Sequence, residues 1–145
     1  MMNKIKERKS NVRVICPYCG RRAKLVVGST LPKEEIREDS FYRKEGVNVW
    51  RCPNCFAMTI ARQYTNQPLG KLANLELRQA RYELHKLFDQ LWQKKCISRT
   101  QAYHLLAIKM NIRRSDCHFS LFDMKQCEIA KKKIIEMLKF RGIYW

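Results

Sequence analysis

The spacing of apolar residues changes near residue 70. Before that point, apolar and polar positions alternate cleanly at 47–51 and loosely at 12–15, and short apolar, strand-like segments stand at 23–27 and 58–61. A period of two with β-branched residues indicates strands. After that point, apolar residues recur every three or four positions, which is the spacing of amphipathic helices. The pattern predicts an α+β chain, with a small antiparallel sheet first and a three-helix unit second.

The second half contains signals for three helices. The first is predicted over about 71–95, the second starts at the capping box 98–101 and ends near Asn111, and the third covers about 122–140. Gly142 stands where a C′ glycine belongs. The residues expected to face the core are Ala73, Leu77, Ala80, Leu84, Leu87, Phe88 and Leu91, then Ala102, Leu105, Leu106 and Ile108, then Met124, Cys127, Ala130, Ile134, Met137 and Leu138.

Four cysteines form two matched pairs, Cys16-Pro17-Tyr18-Cys19-Gly20 and Cys52-Pro53-Asn54-Cys55, with 32 residues between them. Two thiols three positions apart can bind one metal from a single tight turn, and a second such turn completes a tetrahedron. Ordinary core cysteines or an iron site are the alternatives. Because four cysteines leave no ligand position open for water, we predict one structural Zn²⁺ at Cys16, Cys19, Cys52 and Cys55.

The order of strands and cysteine turns is that of a zinc ribbon. The segment 65–70 collects turn-forming residues and is interpreted as a hinge. We therefore predict a basic, mobile N-terminal arm at 1–11, the zinc ribbon at 12–66 and a helical domain at 67–145. Because a ribbon of this size has a small core, its zinc should contribute much of its stability.

The chain is strongly basic, with 30 Lys and Arg against 13 Asp and Glu and a formal net charge of +17. Both halves share the excess, with 14 basic and 6 acidic residues in 1–70 and 16 and 7 in 71–145. This favours an anionic partner, nucleic acid first and an acidic protein face or a lipid surface next. No signal peptide or membrane span is indicated, so we expect a host bacterial cytoplasm and no membrane partner.

Candidate contacts to nucleic acid are the cations beside the cysteine turns, those that flank the second helix and those on the third helix. They are Arg21, Arg22, Lys24, Arg51, Arg99, Arg113, Arg114, Lys131, Lys132 and Lys133. The alternative is that these side chains form solvated basic faces. The helices on either side of 111–120 could also form a helix-turn-helix, although their link of about ten residues is longer than the usual turn.

The remaining cysteines and histidines have no chelating spacing. A second metal site or a catalytic pair could be drawn from Cys96, Cys117, Cys127 and His118, but Cys127 falls on the apolar face of the third helix, where a buried thiol is common. The chain also lacks a P-loop, a Rossmann glycine pattern, a Ser-His-Asp signature and a paired acidic metal site. We predict no enzymatic activity.

Several further segments carry a family resemblance. They are 68–73 (Pro-Leu-Gly-Lys-Leu-Ala), 88–92 (Phe-Asp-Gln-Leu-Trp), 98–103 (Ser-Arg-Thr-Gln-Ala-Tyr) and 122–127 (Phe-Asp-Met-Lys-Gln-Cys). With the cysteine turns, they resemble a family of small zinc-finger-containing proteins of bacteriophages and mobile elements, over most of residues 12–138. The resemblance implies zinc at the four cysteines and a phage or prophage setting, and it implies no catalytic residues.

Two functional hypotheses follow. The first is a regulatory nucleic-acid-binding protein of phage or mobile-element origin, stabilised by zinc and attracted to phosphates by its basic residues. The second is a phage protein that binds and inhibits or redirects a host machine, such as RNA polymerase, a defence nuclease complex or the ribosome, since basic ribbons and helices also suit acidic protein faces.

Overall fold

The computed structural model describes residues 4–94 and 97–142. It divides the chain into two compact units, Met1–Leu75 and Glu76–Trp145, which we call the ribbon unit and the helical unit. The sequence analysis predicted the boundary between ribbon and helical domain at residues 66 and 67, which is earlier in the chain than the division in the structure. In the part of the chain that the structure describes, no helix combines the length and the apolar character that crossing a membrane requires.

The ribbon unit contains a three-stranded antiparallel sheet in the order β1-β2-β3. The strands are β1 (Lys24–Val27), β2 (Asn48–Arg51) and β3 (Met58–Ile60), with Leu25 opposite Trp50. Because alternate residues point to opposite faces, the sheet has two core clusters. One contains Leu25 and Trp50 with the first residues of both cysteine turns, and the other contains Val26, Val49 and Met58. The predicted fold class, a zinc ribbon followed by three helices, is confirmed.

Both edges of this sheet are covered by segments that the sequence did not predict to pair. Residues 4–11, expected to be a mobile arm, lie along β1: the Arg8 N–H donates to the Leu25 carbonyl at 2.8 Å, and the Val27 N–H donates to the Lys6 carbonyl at 2.8 Å. The predicted strand at 12–15 is reduced to an isolated bridge between Ile15 and Arg22. An edge strand leaves backbone groups unpaired, and the arm satisfies them.

The predicted hinge also belongs to the ribbon unit. The Leu69 N–H donates to the Ile60 carbonyl at 2.9 Å, and Met58 and Ala73 exchange two backbone hydrogen bonds of 2.9 and 2.8 Å. Leu72 is buried in the ribbon core. Residues 67–74 therefore cover the free edge of β3, which is why the first helix begins later than predicted.

The helical unit consists mainly of α1 (Leu75–Gln93), α2 (Arg99–Met110) and α3 (Met124–Phe140). Capping boxes start α2 at Ser98 and α3 at Asp123, and Asn111 ends α2 in the left-handed conformation, with φ 57°. Gly142, with φ 69°, follows α3 as predicted. Two short 3-10 helices, Arg114–Asp116 and Phe119–Leu121, occupy the link from α2 to α3, so the link is no helix-turn-helix turn.

The buried faces of the helices largely follow the predicted spacing. Ile108 is an exception: it is 74% exposed, because Ala102, Tyr103, Leu106 and Ala107 turn inward and place it on the opposite side of α2. The sequence analysis also missed Phe119 and Phe122, which begin and directly follow the second 3-10 helix of the link and are fully buried. The predicted residues that are buried in the helices are Leu77, Leu84, Phe88, Leu91, Ala102, Leu106, Cys127, Ala130, Ile134, Met137 and Leu138, whereas Ala80, Leu87, Leu105 and Met124 are half-buried. Ala73 is also buried, but it precedes α1 and pairs with β3 in the ribbon unit.

Candidate metal centre and basic groove

The first cysteine turn is a tight backbone loop closed by two hydrogen bonds. The Gly20 N–H donates to the Cys16 carbonyl at 2.9 Å, and the Cys16 N–H donates to the Arg21 carbonyl at 2.8 Å. Gly20 has φ 75°, in the left-handed region that glycine enters without steric cost. The turn therefore directs Cys16 and Cys19 toward one point.

The second cysteine turn repeats this geometry. The Phe56 N–H donates to the Cys52 carbonyl and the Cys52 N–H to the Ala57 carbonyl, both at 2.9 Å. Phe56 stands where the first turn has glycine, and its φ of 61° is also left-handed. The Cys55 N–H lies 3.4 Å from the Cys52 sulfur. The two turns thus present their sulfurs in the same way, although their sequences differ at the position of the left-handed residue.

The four cysteine sulfurs meet at one place. All lie within 4.8 Å of one another, and the sulfurs of Cys19 and Cys52 are 3.5 Å apart. Zinc–sulfur bonds of about 2.3 Å in a tetrahedron separate sulfurs by about 3.8 Å, so the set fits Zn²⁺. Cys16 and Cys52 are buried, whereas Cys55 is half-buried and Cys19 is exposed. The four cysteines hold one structural zinc, as the sequence predicted.

The ionisation of the thiols reflects how closely they are grouped. The backbone N–H of Arg21 lowers the pKa of Cys19 from 9.0 to about 6. The hydrogen bond between Cys55 and Cys19 raises the pKa of the Cys55 thiol to about 12. Burial raises the pKa of the Cys16 thiol. Protein groups alone therefore favour a negative charge at Cys19 and oppose further ones beside it. A divalent cation reverses this preference, because it stabilises thiolates at all four positions.

Arg51, a predicted nucleic-acid contact, is used inside the ribbon unit. Its guanidinium donates two hydrogen bonds to the Glu35 carboxylate, at 2.8 and 2.6 Å, and the two side chains are only 12% and 16% exposed. The same guanidinium lies over the Phe56 ring, 4.7 Å from its centroid. Arg51 thus connects β2 to the loop before it and to the second cysteine turn, and we assign it a structural role.

A basic groove lies between the N-terminal arm and β1. It has a volume of about 380 Å³ and is lined by residues 7–12 and 22–25 together with Trp50. Four exposed cations, Arg8, Lys9, Arg22 and Lys24, line it beside a single carboxylate, that of Glu7. Lys24 and Glu7 form an exposed ion pair of 3.2 Å.

This groove gathers only some of the predicted cations. Arg22 and Lys24 line it, and Arg21 is exposed on the neighbouring cysteine turn. The sequence analysis missed Arg8 and Lys9, although both belong to the basic run of the arm, because the arm was expected to be mobile. Pairing of 6–8 with β1 is what brings them to the groove.

In the helical unit, the predicted cations fall into two sets. Arg99 and Arg114 both lie over the Tyr103 ring, 5.6 and 4.7 Å from its centroid, and Arg113 forms an exposed ion pair with Asp116 at 3.3 Å. The other set lies on α3. Lys131 and Lys132 are exposed, and Lys133 is half-buried.

Among the residues that the structure describes, the remaining cysteines do not form a second metal site. Cys117 and Cys127 are buried, and burial raises the pKa of both thiols, which keeps them protonated. His118 is exposed, and Cys96 lies outside the described residues. Within residues 4–94 and 97–142, the four ribbon cysteines are the only group of Cys, His, Asp or Glu side chains close enough to hold an ion.

Comparison with known proteins adds a family match. A scan against protein-family models matches residues 12–137 to a zinc-finger-containing domain. A search of the curated proteins and a search of the solved structures found no match. The matched range covers both the four cysteines and most of the helical unit, so the helices are part of the family's domain.

Proposed function

The chain belongs to the zinc-finger-containing domain family, and we propose that it binds nucleic acid through the basic groove of its ribbon unit. As part of the same proposal, it is a regulatory protein of phage or mobile-element origin, acting in a bacterial host cytoplasm. The origin is supported by the resemblance of its sequence motifs, and the binding by the groove. No catalytic step is part of the proposal.

The observation that carries the proposal is the imbalance of charge in the groove. Four cations face one carboxylate, and because Glu7 is paired with Lys24, the charges of Arg8, Lys9 and Arg22 remain uncompensated by groove residues. Such a concentration of arginine and lysine attracts phosphate groups and displaces their counterions. Arginine also suits phosphate because its guanidinium donates in a planar fork.

Zinc has a definite part in this arrangement. Arg22 follows the first cysteine turn directly, and the Ala23 N–H donates to the Val14 carbonyl at 2.8 Å, which fixes the backbone on both sides of the turn. The metal would thus hold one wall of the groove in place, while pairing with β1 holds the other. A preorganised row of cations binds phosphate with less loss of conformational entropy than a mobile tail does.

The proposal is tested by the salt dependence of oligonucleotide binding. Neutralising about three phosphates gives a slope of about −2 to −3 in a plot of log affinity against log salt, and each lost contact should reduce that slope by about 0.7 to 0.9. We expect the double variant Arg8→Gln/Arg22→Gln to bind more weakly and with a shallower slope, as measured by fluorescence anisotropy.

Lys71→Gln is the matched control, because Lys71 is an exposed cation of the same unit that does not line the groove. Its affinity and slope should stay close to those of the unmodified chain. A flat salt dependence, or equal losses in Lys71→Gln and in the groove variant, would rule out the groove as the source of affinity.

The competing hypothesis, a protein that binds a host machine, predicts a different outcome. Capture of a host complex from a nuclease-treated lysate, by a chain that shows no measurable affinity for oligonucleotides, would favour it. Capture that disappears on nuclease treatment would favour nucleic acid as the primary partner.

A further inference from the structure

The ribbon unit contains a third turn that is closed by the same two backbone hydrogen bonds as the cysteine turns but lacks their ligands. In the segment 62–67, which we call the third turn, the Asn66 N–H donates to the Arg62 carbonyl at 3.0 Å and the Arg62 N–H to the Gln67 carbonyl at 2.7 Å. These are the two bonds that close each cysteine turn. Asn66, with φ 61°, is left-handed at the position that Gly20 and Phe56 occupy.

The third turn is held without metal. The Trp50 indole N–H donates to the Asn66 carbonyl at 2.7 Å, and the Gln67 N–H lies 3.3 Å from the Thr65 hydroxyl. A bridge between Ala61 and Pro68 closes its base. Trp50 is buried and also lines the basic groove, so one side chain connects the third turn to the wall of the groove.

Tyr64, at the tip of the third turn, has no visible structural role. It is 93% exposed, and among the described residues its side chain makes no hydrogen bond and no ring contact. The corresponding residue of the first turn, Tyr18, differs: its hydroxyl accepts a hydrogen bond from the Asn74 N–H at 3.1 Å. Neither the core nor the metal centre accounts for an aromatic side chain at position 64.

The backbone at this position is also unfavourable for tyrosine. Tyr64 has φ 73°, a left-handed conformation in which a bulky residue is an outlier, and glycine or asparagine would fit it better. Conformations of this kind concentrate at functional sites, where selection for a side chain outweighs its cost to folding. The combination of strain and full exposure points to a role for the ring in binding.

We infer that Tyr64 is a base-stacking residue for single-stranded nucleic acid whose phosphates lie in the basic groove. An exposed ring combined with a row of cations is the arrangement by which single strands are bound, since every base has a face that can stack. Here the link between the two is Trp50, which donates to the third turn and lines the groove. Bases in a duplex are stacked on one another and are not open to such a ring. This inference rests on the proposed function and adds the strandedness of the ligand.

The test compares substitutions at position 64. The probe is a labelled oligonucleotide of mixed sequence, about 12 nucleotides long, which is within the site sizes of single-strand binders, used as DNA, as RNA and as a DNA duplex. Tyr64→Asn removes the ring while suiting the backbone, so we expect single-strand affinity to fall by about 5- to 150-fold. Duplex affinity should stay unchanged, and Tyr64→Phe should keep single-strand binding.

Phe41→Ala is the matched control, because Phe41 is another exposed aromatic residue of the ribbon unit and lies outside the third turn. It should bind single strands as the unmodified chain does. The salt slope of Tyr64→Asn should also be unchanged, because the slope counts phosphate contacts and not stacking.

Three results would overturn the inference. The first is that Tyr64→Asn keeps full affinity for single strands, and the second is that it loses as much affinity for the duplex as for single strands. The third is that Tyr64→Asn no longer binds a protein partner but still binds oligonucleotides normally. If Arg8→Gln/Arg22→Gln weakens binding and Tyr64→Asn does not, this inference fails and the proposed function stands. If the unmodified chain binds no oligonucleotide, both fail.

Discussion

At the scale of single residues, cations that look alike in the sequence have different roles in the structure. Arg22 stands just after the first cysteine turn, and Arg51 stands directly before the second. Arg22 is exposed in the groove, whereas Arg51 is bound by Glu35 and covers the Phe56 ring. The sequence could not distinguish them, because the partner that decides the role of Arg51 comes from a distant loop.

We predict opposite consequences for substitutions at these two arginines. Arg51→Gln removes a largely buried ion pair and leaves the Glu35 carboxylate without its fork of donors, so the free energy of unfolding of the ribbon unit should fall by about 3 kcal/mol. Arg22→Gln removes an exposed charge and should leave stability within about 0.5 kcal/mol. Chemical denaturation of the zinc-loaded chain, followed by the fluorescence of Trp50 in a background with Trp92 and Trp145 replaced by Phe, measures both changes.

Arg51→Lys is the control for charge, since lysine keeps the positive charge but cannot reproduce the bidentate geometry. It should recover only part of the lost stability. If Arg51→Gln unfolds at the same denaturant concentration as the unmodified chain, the structural role that we assign to Arg51 is wrong.

At the scale of elements, local signals predicted what lies inside helices and strands but not what covers their edges. Alternation identified β2, short apolar segments identified β1 and β3, and the Ser98 capping box and Gly142 marked helix ends correctly. The arm at 4–11 and the segment 67–74 have no such pattern, because each meets the sheet mainly through its backbone. Backbone pairing at the edge of a sheet depends on the partner strand, so the residues of the pairing segment alone do not predict it.

Gly28 shows how a glycine can be required by packing and not by its own conformation. It follows β1, and its N–H donates to the Val47 carbonyl at 2.9 Å. A Cβ at this position would lie 1.8 Å from the Tyr42 carbonyl oxygen and 2.9 Å from that of Val47. The loop from 28 to 47 could not close on β1 with any larger residue.

We therefore expect Gly28→Ala to destabilise the ribbon unit by about 3 kcal/mol, because the backbone of the loop must move. Gly46→Ala is the comparison: Gly46 has φ 83° but open space around it, so alanine there should cost about 1 kcal/mol. Thermal unfolding of both zinc-loaded variants shows which substitution lowers stability more. If Gly46→Ala proves the more harmful, the close approach at Gly28 is not limiting.

At the scale of the whole molecule, the two units depend on different interactions. The ribbon unit has two small core clusters and four sulfurs at one point. The helical unit has its own core, in which Phe88 contacts Tyr103 and Phe119 at ring-centroid distances of 4.6 and 5.2 Å. Zinc should accordingly support the first unit much more than the second.

The ribbon unit should be more sensitive to acid than the helical unit. The pKa of Cys19 is lowered to about 6 in the folded chain from 9.0, so its contribution to stability is complete above pH 9 and is lost as the pH falls through about 6. Protons also compete with zinc for the thiolates, in the same direction. We expect zinc, measured with a chromophoric chelator, to be released as the pH falls through this range, while ellipticity at 222 nm largely persists. Cys52→Ser should lose zinc even at neutral pH, whereas Cys127→Ala should retain one zinc per chain, because Cys127 is buried in the helical unit and is not one of the four cysteines whose sulfurs meet. Loss of helical signal in step with zinc would mean that the helices, too, depend on the metal.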